Sequence, residues 1–131
     1  MADKAEANMQ IGQVAARTEL SIRTIRHYDE TGLVTPSARS AGGFRLYTEP
    51  DVQRLLFIRR MKTLNLTLAE MKDLLGALDT LKDDGAGAAE RSAATETLHR
   101  FQARTEEAIG QLRKYLGLAE EFAESLAEYT R

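Results

Sequence analysis

The 131-residue sequence contains no cysteine. It can therefore form no disulfide, no thiolate metal site and no thiol redox sensor, and it is compatible with a reducing compartment. No apolar run approaches the roughly 20 residues that cross a bilayer. The opening MADKAEANMQ also lacks the apolar core of a signal peptide. A cytoplasmic protein with no membrane segment is the expectation. Catalytic signatures are missing as well: there is no nucleophile–base pair, phosphate loop or ligand-spaced metal cluster. No cofactor and no metal site are assigned, and an enzyme is the least supported class. Asp83-Asp84, Glu106-Glu107 and Glu120-Glu121 read as solvated carboxylates, and His27 and His99 have no ligand partners at metal-binding spacing.

Hydrophobic residues make up 43% and charged residues 29% of the chain, enough for a core under a polar surface. The net charge of −2 conceals an uneven distribution. Residues 10–62 carry nine Lys/Arg against five Asp/Glu, whereas residues 63–131 carry eight against thirteen. The basic half is where a polyanion would sit.

After a polar tail over residues 1–8, helical patterning begins at Met9, with Ile11, Val14 and Ala15 on one face. A polar turn, Arg17-Thr18-Glu19, leads to Leu20. Ser21 is suited to N-cap a second helix, in which Ile22, Ile25 and Tyr28 or Asp29 fall on nearby rows while Arg23, Thr24, Arg26 and His27 point mostly the other way. Two short helices around a tight turn form a helix-turn-helix, whose second helix enters the DNA major groove. Gly32 ends that helix and Pro36 prevents another. A loop with the double glycine Gly42-Gly43 precedes the alternating Phe44-Arg45-Leu46-Tyr47, so a strand, glycine-rich tip and strand form a wing flanked by Arg39 and Arg45. Thr48 caps the next helix, with Glu49, Pro50 and Asp51 in its first turn, and Asn65 closes it. Thr67 and Glu70 make a capping box for another. Met61 and Met71 sit at core spacing. Residues 79–88 (DTLKDDGAGA) read as a linker.

Residues 89–131 contain no proline and hold a heptad pattern. Leu98, Phe101, Thr105, Ala108, Leu112, Tyr115, Ala119, Phe122, Leu126 and Tyr129 recur at spacings of three and four, which predicts a coiled-coil seam. A helix of that length runs to roughly 60 Å and needs a partner, for which a second copy is the simplest choice. Phe101 and Phe122 alternate with Ala108 and Ala119, which suits an antiparallel pairing in which large meets small. Ile109 and Leu116 widen the stripe.

The run IGQVAARTELSIRTIRHYDETGLVTPSARSAGGFRLYTEPDVQRLLFIRRMKTLNLTLAEMKDLL resembles the DNA-binding domain of the mercury-resistance-type (MerR) transcription regulators. T-I-R-H-Y-D, G-L-V, G-G-F-R-L-Y and L-x-F-I-R-R carry the likeness. It implies a mainly α chain divided into a winged helix-turn-helix domain over 9–78, the linker over 79–88 and an antiparallel coiled-coil dimerisation helix over 89–131. It also implies a homodimer on double-stranded promoter DNA, bound to an inverted-repeat operator whose spacer it bends and untwists for RNA polymerase. By position, Arg23, Thr24 and Arg26 would face the groove behind the capping Ser21. His27 and Tyr28 would touch backbone, Arg39, Arg45 and Tyr47 would serve the wing, and Lys62 would add a phosphate contact. Many relatives carry tyrosine where this chain has Phe44, so packing is the expected role there. The family's metal and thiol sensors place cysteines near both ends of the long helix, and this chain has none. A small-molecule effector, a protein signal and no effector all stay open, as does activator against repressor. The competing class is a helical adaptor that works through its long helix.

Overall fold

The structure, a computed structural model, describes residues 7–131, so residues 1–6 of the expected polar tail lie outside the described residues. Two compact units divide the chain, one through Met71 and the other from Lys72 to Arg131.

The first unit opens with a short strand β1 (Met9–Gln10), followed by helices α1 (Ile11–Thr18) and α2 (Ile22–Glu30). Helical patterning expected from Met9 therefore starts two residues later. A two-residue strand is too short to show a period, and only its partner, which arrives some 36 residues downstream, makes it a strand: Met9 pairs with Tyr47 and Gln10 with Leu46. Gln10 serves twice, because its amide donates to the Gln13 side chain at 2.9 Å and closes a capping box at the start of α1. Between the helices the chain turns through Glu19, whose φ of 58° places it in the left-handed region. Buried Thr18 supports that turn by donating to the Val14 carbonyl at 2.8 Å and accepting the Leu20 amide. Leu20 and Ile25 then bury the inner side of the motif.

Gly32 (φ 75°) ends α2 in the left-handed conformation that glycine adopts without strain. The amides of Leu33 and Val34 both donate back to the Tyr28 carbonyl, which turns these two apolar side chains into the core. The wing is formed by β2 (Ala38–Arg39) and β3 (Arg45–Tyr47), with Arg39 opposite Arg45 and Ala38 opposite Leu46. Strand β3 lies in the middle of a three-stranded antiparallel sheet, order β1-β3-β2.

Helix α3 (Glu49–Arg60) has the expected cap: Thr48 and Asp51 form a capping box, with Pro50 in the first turn. Val52, Leu55 and Ile58 are buried along it. The helix tightens into a 3-10 turn over Met61–Leu64, and Asn65 (φ 52°) stops it. On the outside, Arg17 of α1 pairs with Glu49, which also accepts from Gln53, and Arg59 pairs with Glu19.

Helix α4 (Leu68–Lys82) starts on the Thr67–Glu70 capping box and crosses from the first unit into the second. It continues through residues 79–82, where a linker was expected. Thr80 remains helical with its hydroxyl bonded to the Gly76 carbonyl, and the break is confined to the stretch around Asp83-Asp84-Gly85. Arg91, in the second turn of α5 (Ala88–Tyr129), donates to the carbonyls of Leu81 and Asp83 and satisfies the end of α4. Helix α5 is 42 residues long.

Glu49 makes acid stability testable. Its hydrogen bonds from Arg17 and then Gln53 hold its carboxyl at about 2, against an ordinary 4.5. Because the folded value lies below the unfolded one, the pair's contribution is present above about 4.5 and is lost as pH falls toward about 2. Glu49→Gln is expected to melt slightly below the wild type at pH 6 and to converge with it by pH ~2. Thermal melts across that range check this, and parallel curves would contradict it.

Candidate nucleic-acid interface

The second helix of the helix-turn-helix is held from behind and open in front. Ile25 is fully buried, which fixes the rotation of α2. Arg23 and His27 then lie opposite Ile25 and Arg26 on the adjoining flank, and all three are exposed. Ser21 starts the helix as expected, since its Oγ accepts the Thr24 amide at 3.0 Å. The same hydroxyl donates to Thr24 Oγ1 at 2.8 Å, so both hydroxyls of this first turn are mutually engaged. Thr24 is half-buried.

Tyr28 is half-buried on the last full turn of α2, and burial raises its phenol pKa. It borders two depressions. One follows the face of α2 and includes Arg23, Arg26 and His27. The other, a notch of about 220 Å³, also contains Lys62 and Asn65 from the 3-10 turn and its end. Tyr28 and Lys62, far apart in sequence, thus line one feature.

The wing meets α2 in a third depression, lined by Arg26 together with Gly43, Phe44 and Arg45. Arg45 Nε donates to Asp29 Oδ2 at 2.6 Å, and Arg39 reaches the same oxygen at 3.4 Å. That hydrogen bond is the main reason the Arg45 pKa is raised. Arg39 also donates to the Gly43 carbonyl at 3.2 Å. The pattern of charges flagged both arginines but missed Asp29. The available signal was an acidic residue on the inward side of a helix whose arginines point outward.

Two expectations need correction. Tyr47, assigned to the DNA-facing wing, has 0% exposure, and its hydroxyl is buried with no hydrogen-bond partner. As the last residue of the central strand it points into the core, where burial is the main cause of its raised pKa. Phe44, expected to pack, is instead 67% exposed at the wing tip. Its ring lies over Gly42, where a Cβ would come within 3.2 Å of it.

The dimerisation seam divides into two parts. Leu98, Thr105 and Ala108 are partly covered within one chain, and Phe101 is buried with the Arg104 guanidinium over its ring. Phe101 is thus core of a single chain and not the free seam position its spacing suggested. From Leu112 onward the stripe is open: Leu112, Tyr115, Phe122, Leu126 and Tyr129 are all more than half exposed, as is Leu116 beside them, and Ala119 is exposed too. Among the described residues no three metal-ligating side chains gather, and no helix is long and apolar enough to cross a membrane.

A basic helix with a wing beside it defines a winged helix-turn-helix, and comparison with known proteins specifies which kind. The family model for the MerR HTH family regulatory protein matches residues 9–78, and the model described as MerR, DNA binding matches residues 52–116. This chain belongs to the MerR family. It is 42% identical over 67 residues to the HTH-type transcriptional regulator ZntR homolog of Haemophilus influenzae, a match covering 51% of this chain and 50% of that protein. It is 40% identical over 70 residues to the mercuric resistance operon regulatory protein of Bacillus cereus, covering 53% of each. The matched region is thus about half the length of these curated relatives. Among solved structures, the transcription regulator PbrR691 from Ralstonia metallidurans in complex with lead(II) superposes with a TM-score of 0.54 at 33% identity, covering 86% of both chains. HiNmlR, a MerR family regulator lacking the sensor domain and bound to promoter DNA, gives a TM-score of 0.66 at 22% identity, covering 85% of this chain and 83% of that one. At that identity the second likeness is one of fold. None of these relatives supports the adaptor class.

A buried, unpartnered hydroxyl costs about 1–3 kcal/mol. Tyr47→Phe is therefore expected to raise stability by about 1 kcal/mol and to leave DNA affinity unchanged. Denaturant titration and a binding assay check both, and a folded variant with weakened DNA binding would return the hydroxyl to the interface.

Proposed function

We propose that this protein is a transcription regulator that binds an inverted-repeat promoter operator as a homodimer and acts by bending and untwisting the spacer. The supporting observation is the shared concavity of Arg26 with Gly43, Phe44 and Arg45, beside the open face of Arg23 and His27. Helix and wing present cationic side chains to one side, as a duplex with a groove and flanking phosphates requires. Arg23 and Arg26 are the base-reading candidates, because a guanidinium pairs bidentately with guanine. Ser21 and Thr24 shape the helix start through their mutual hydrogen bond. His27, Tyr28, Arg39, Arg45 and Lys62 serve the sugar-phosphate wall, with Lys62 and Tyr28 on the same notch. Residues 9–78 act as the reading domain and α5 as the pairing element.

The open stripe from Leu112 to Tyr129 supports the dimer. Contiguous exposed apolar surface of this kind marks an interaction site, and the alternation of Phe122 with Ala119 suits an antiparallel second copy. Two reading domains on one duplex can impose a deformation that either cannot impose alone, at a cost that depends on the sequence between half-sites. RNA polymerase responds indirectly, through promoter elements that the deformation realigns. Thiolate sensing is excluded by the lack of cysteine.

The reading is tested by gel shift with the protein's own upstream region against random duplex across salt. Equal affinity for both at moderate salt would overturn it. Arg23→Ala is expected to cut specific binding by about 1–3 kcal/mol while sparing non-specific binding, whereas Lys62→Ala weakens both and lowers the salt slope by about one. Leu112→Asp places a charge in the open stripe and is expected to abolish the dimer in sedimentation. A dimer that persists would move the interface elsewhere.

A further inference from the structure

Asp29 belongs to the recognition helix but faces the wing, not the solvent. Its side chain is only 13% exposed, and one oxygen, Oδ2, receives both wing arginines. Arg45 approaches from β3 and Arg39 from β2, so both strands of the hairpin are tied to the last turn of α2. Arg39 extends the tie to the tip through the Gly43 carbonyl, where the backbone turns at φ 82°. The strands of the wing are two and three residues long. Hairpins this short have little ladder to orient them, which gives side-chain ties a large share of that task.

We infer that Asp29 is a specificity-determining positioning residue, which locks the wing to the recognition helix and restrains its two arginines from indiscriminate phosphate contact. The inference rests on the DNA-binding reading above. Sequence discrimination needs the helix and wing to meet DNA at one spacing, since a reading helix is placed in register by its backbone contacts. A carboxylate between two guanidinium groups leaves one net positive charge where there would be two. On random DNA a phosphate must compete with Asp29 for Arg39 and Arg45. On the matched site the fixed wing needs no reordering, and its contacts form without that entropic cost.

The test is Asp29→Asn in the full chain, which keeps the shape and removes the charge. Preference for the upstream fragment over random duplex is expected to fall about tenfold, through tighter binding to random duplex as well as weaker binding to the fragment. The salt slope on random duplex is expected to steepen by about one. Asp29→Glu, which restores the charge, should recover most of the preference. Amide exchange over residues 38–47 should accelerate in Asp29→Asn while α1 and α3 keep their rates. A loss of affinity by the same factor for both DNAs would mark a merely structural role and overturn the inference, as would wild-type preference in the variant. If wild-type protein itself shows no preference, the regulator reading fails separately. Wing exchange then decides: unchanged rates overturn the lock, and accelerated rates retain it as a device that orders the wing.

Discussion

The burial of Ile25 is the constraint on which the basic face of α2 depends. A nine-residue helix has no inherent orientation, and its charged residues become a surface only when one side is committed to a core. Ile25 makes that commitment for α2, with Leu20 before it and Leu33 and Val34 after it. Arg23, Arg26 and His27 are then outward by geometry. The left-handed turn at Glu19 and the reversal at Gly32 serve the same end, because they let the chain bury apolar side chains immediately before and after the helix.

The wing depends on a different balance. Its sheet is too small to be a core, yet its central strand contributes a fully buried Tyr47 and so anchors the hairpin from below. Above that anchor the attachment is electrostatic, a single carboxylate holding two guanidinium groups. The wing thus combines an apolar base, a charged tie to α2 and an exposed aromatic tip at Phe44. The buried hydroxyl of Tyr47 is a local cost that this design retains.

In the second unit the long helix changes character along its length. Around Ala94 and Phe101 it is covered within one chain, and Arg91 closes the end of α4. Beyond Leu112 its apolar stripe is open. The same heptad pattern thus serves an intrachain core and then an unpartnered face. Periodicity cannot distinguish these, because it records which residues share a side and not what covers that side.

Local chemistry determined much of this protein. The caps at Ser21, Thr48 and Thr67, the stop at Gly32 and the long uninterrupted helix were legible, because each depends on residues within one or two turns of each other. The basic helix face and the glycine-rich wing were legible for the same reason. Tertiary structure decided what depends on distant partners. Met9 and Gln10 become a strand only when Leu46 and Tyr47 arrive beside them. Tyr47 is core because it ends the central strand on its inner face, whereas Phe44 precedes that strand at the wing tip, and only the assembled core shows which side is inside. Asp29 becomes a clasp only because the wing folds back against α2. Sequence fixes a side chain's chemistry and its near neighbours, and long-range packing chooses the surface it meets.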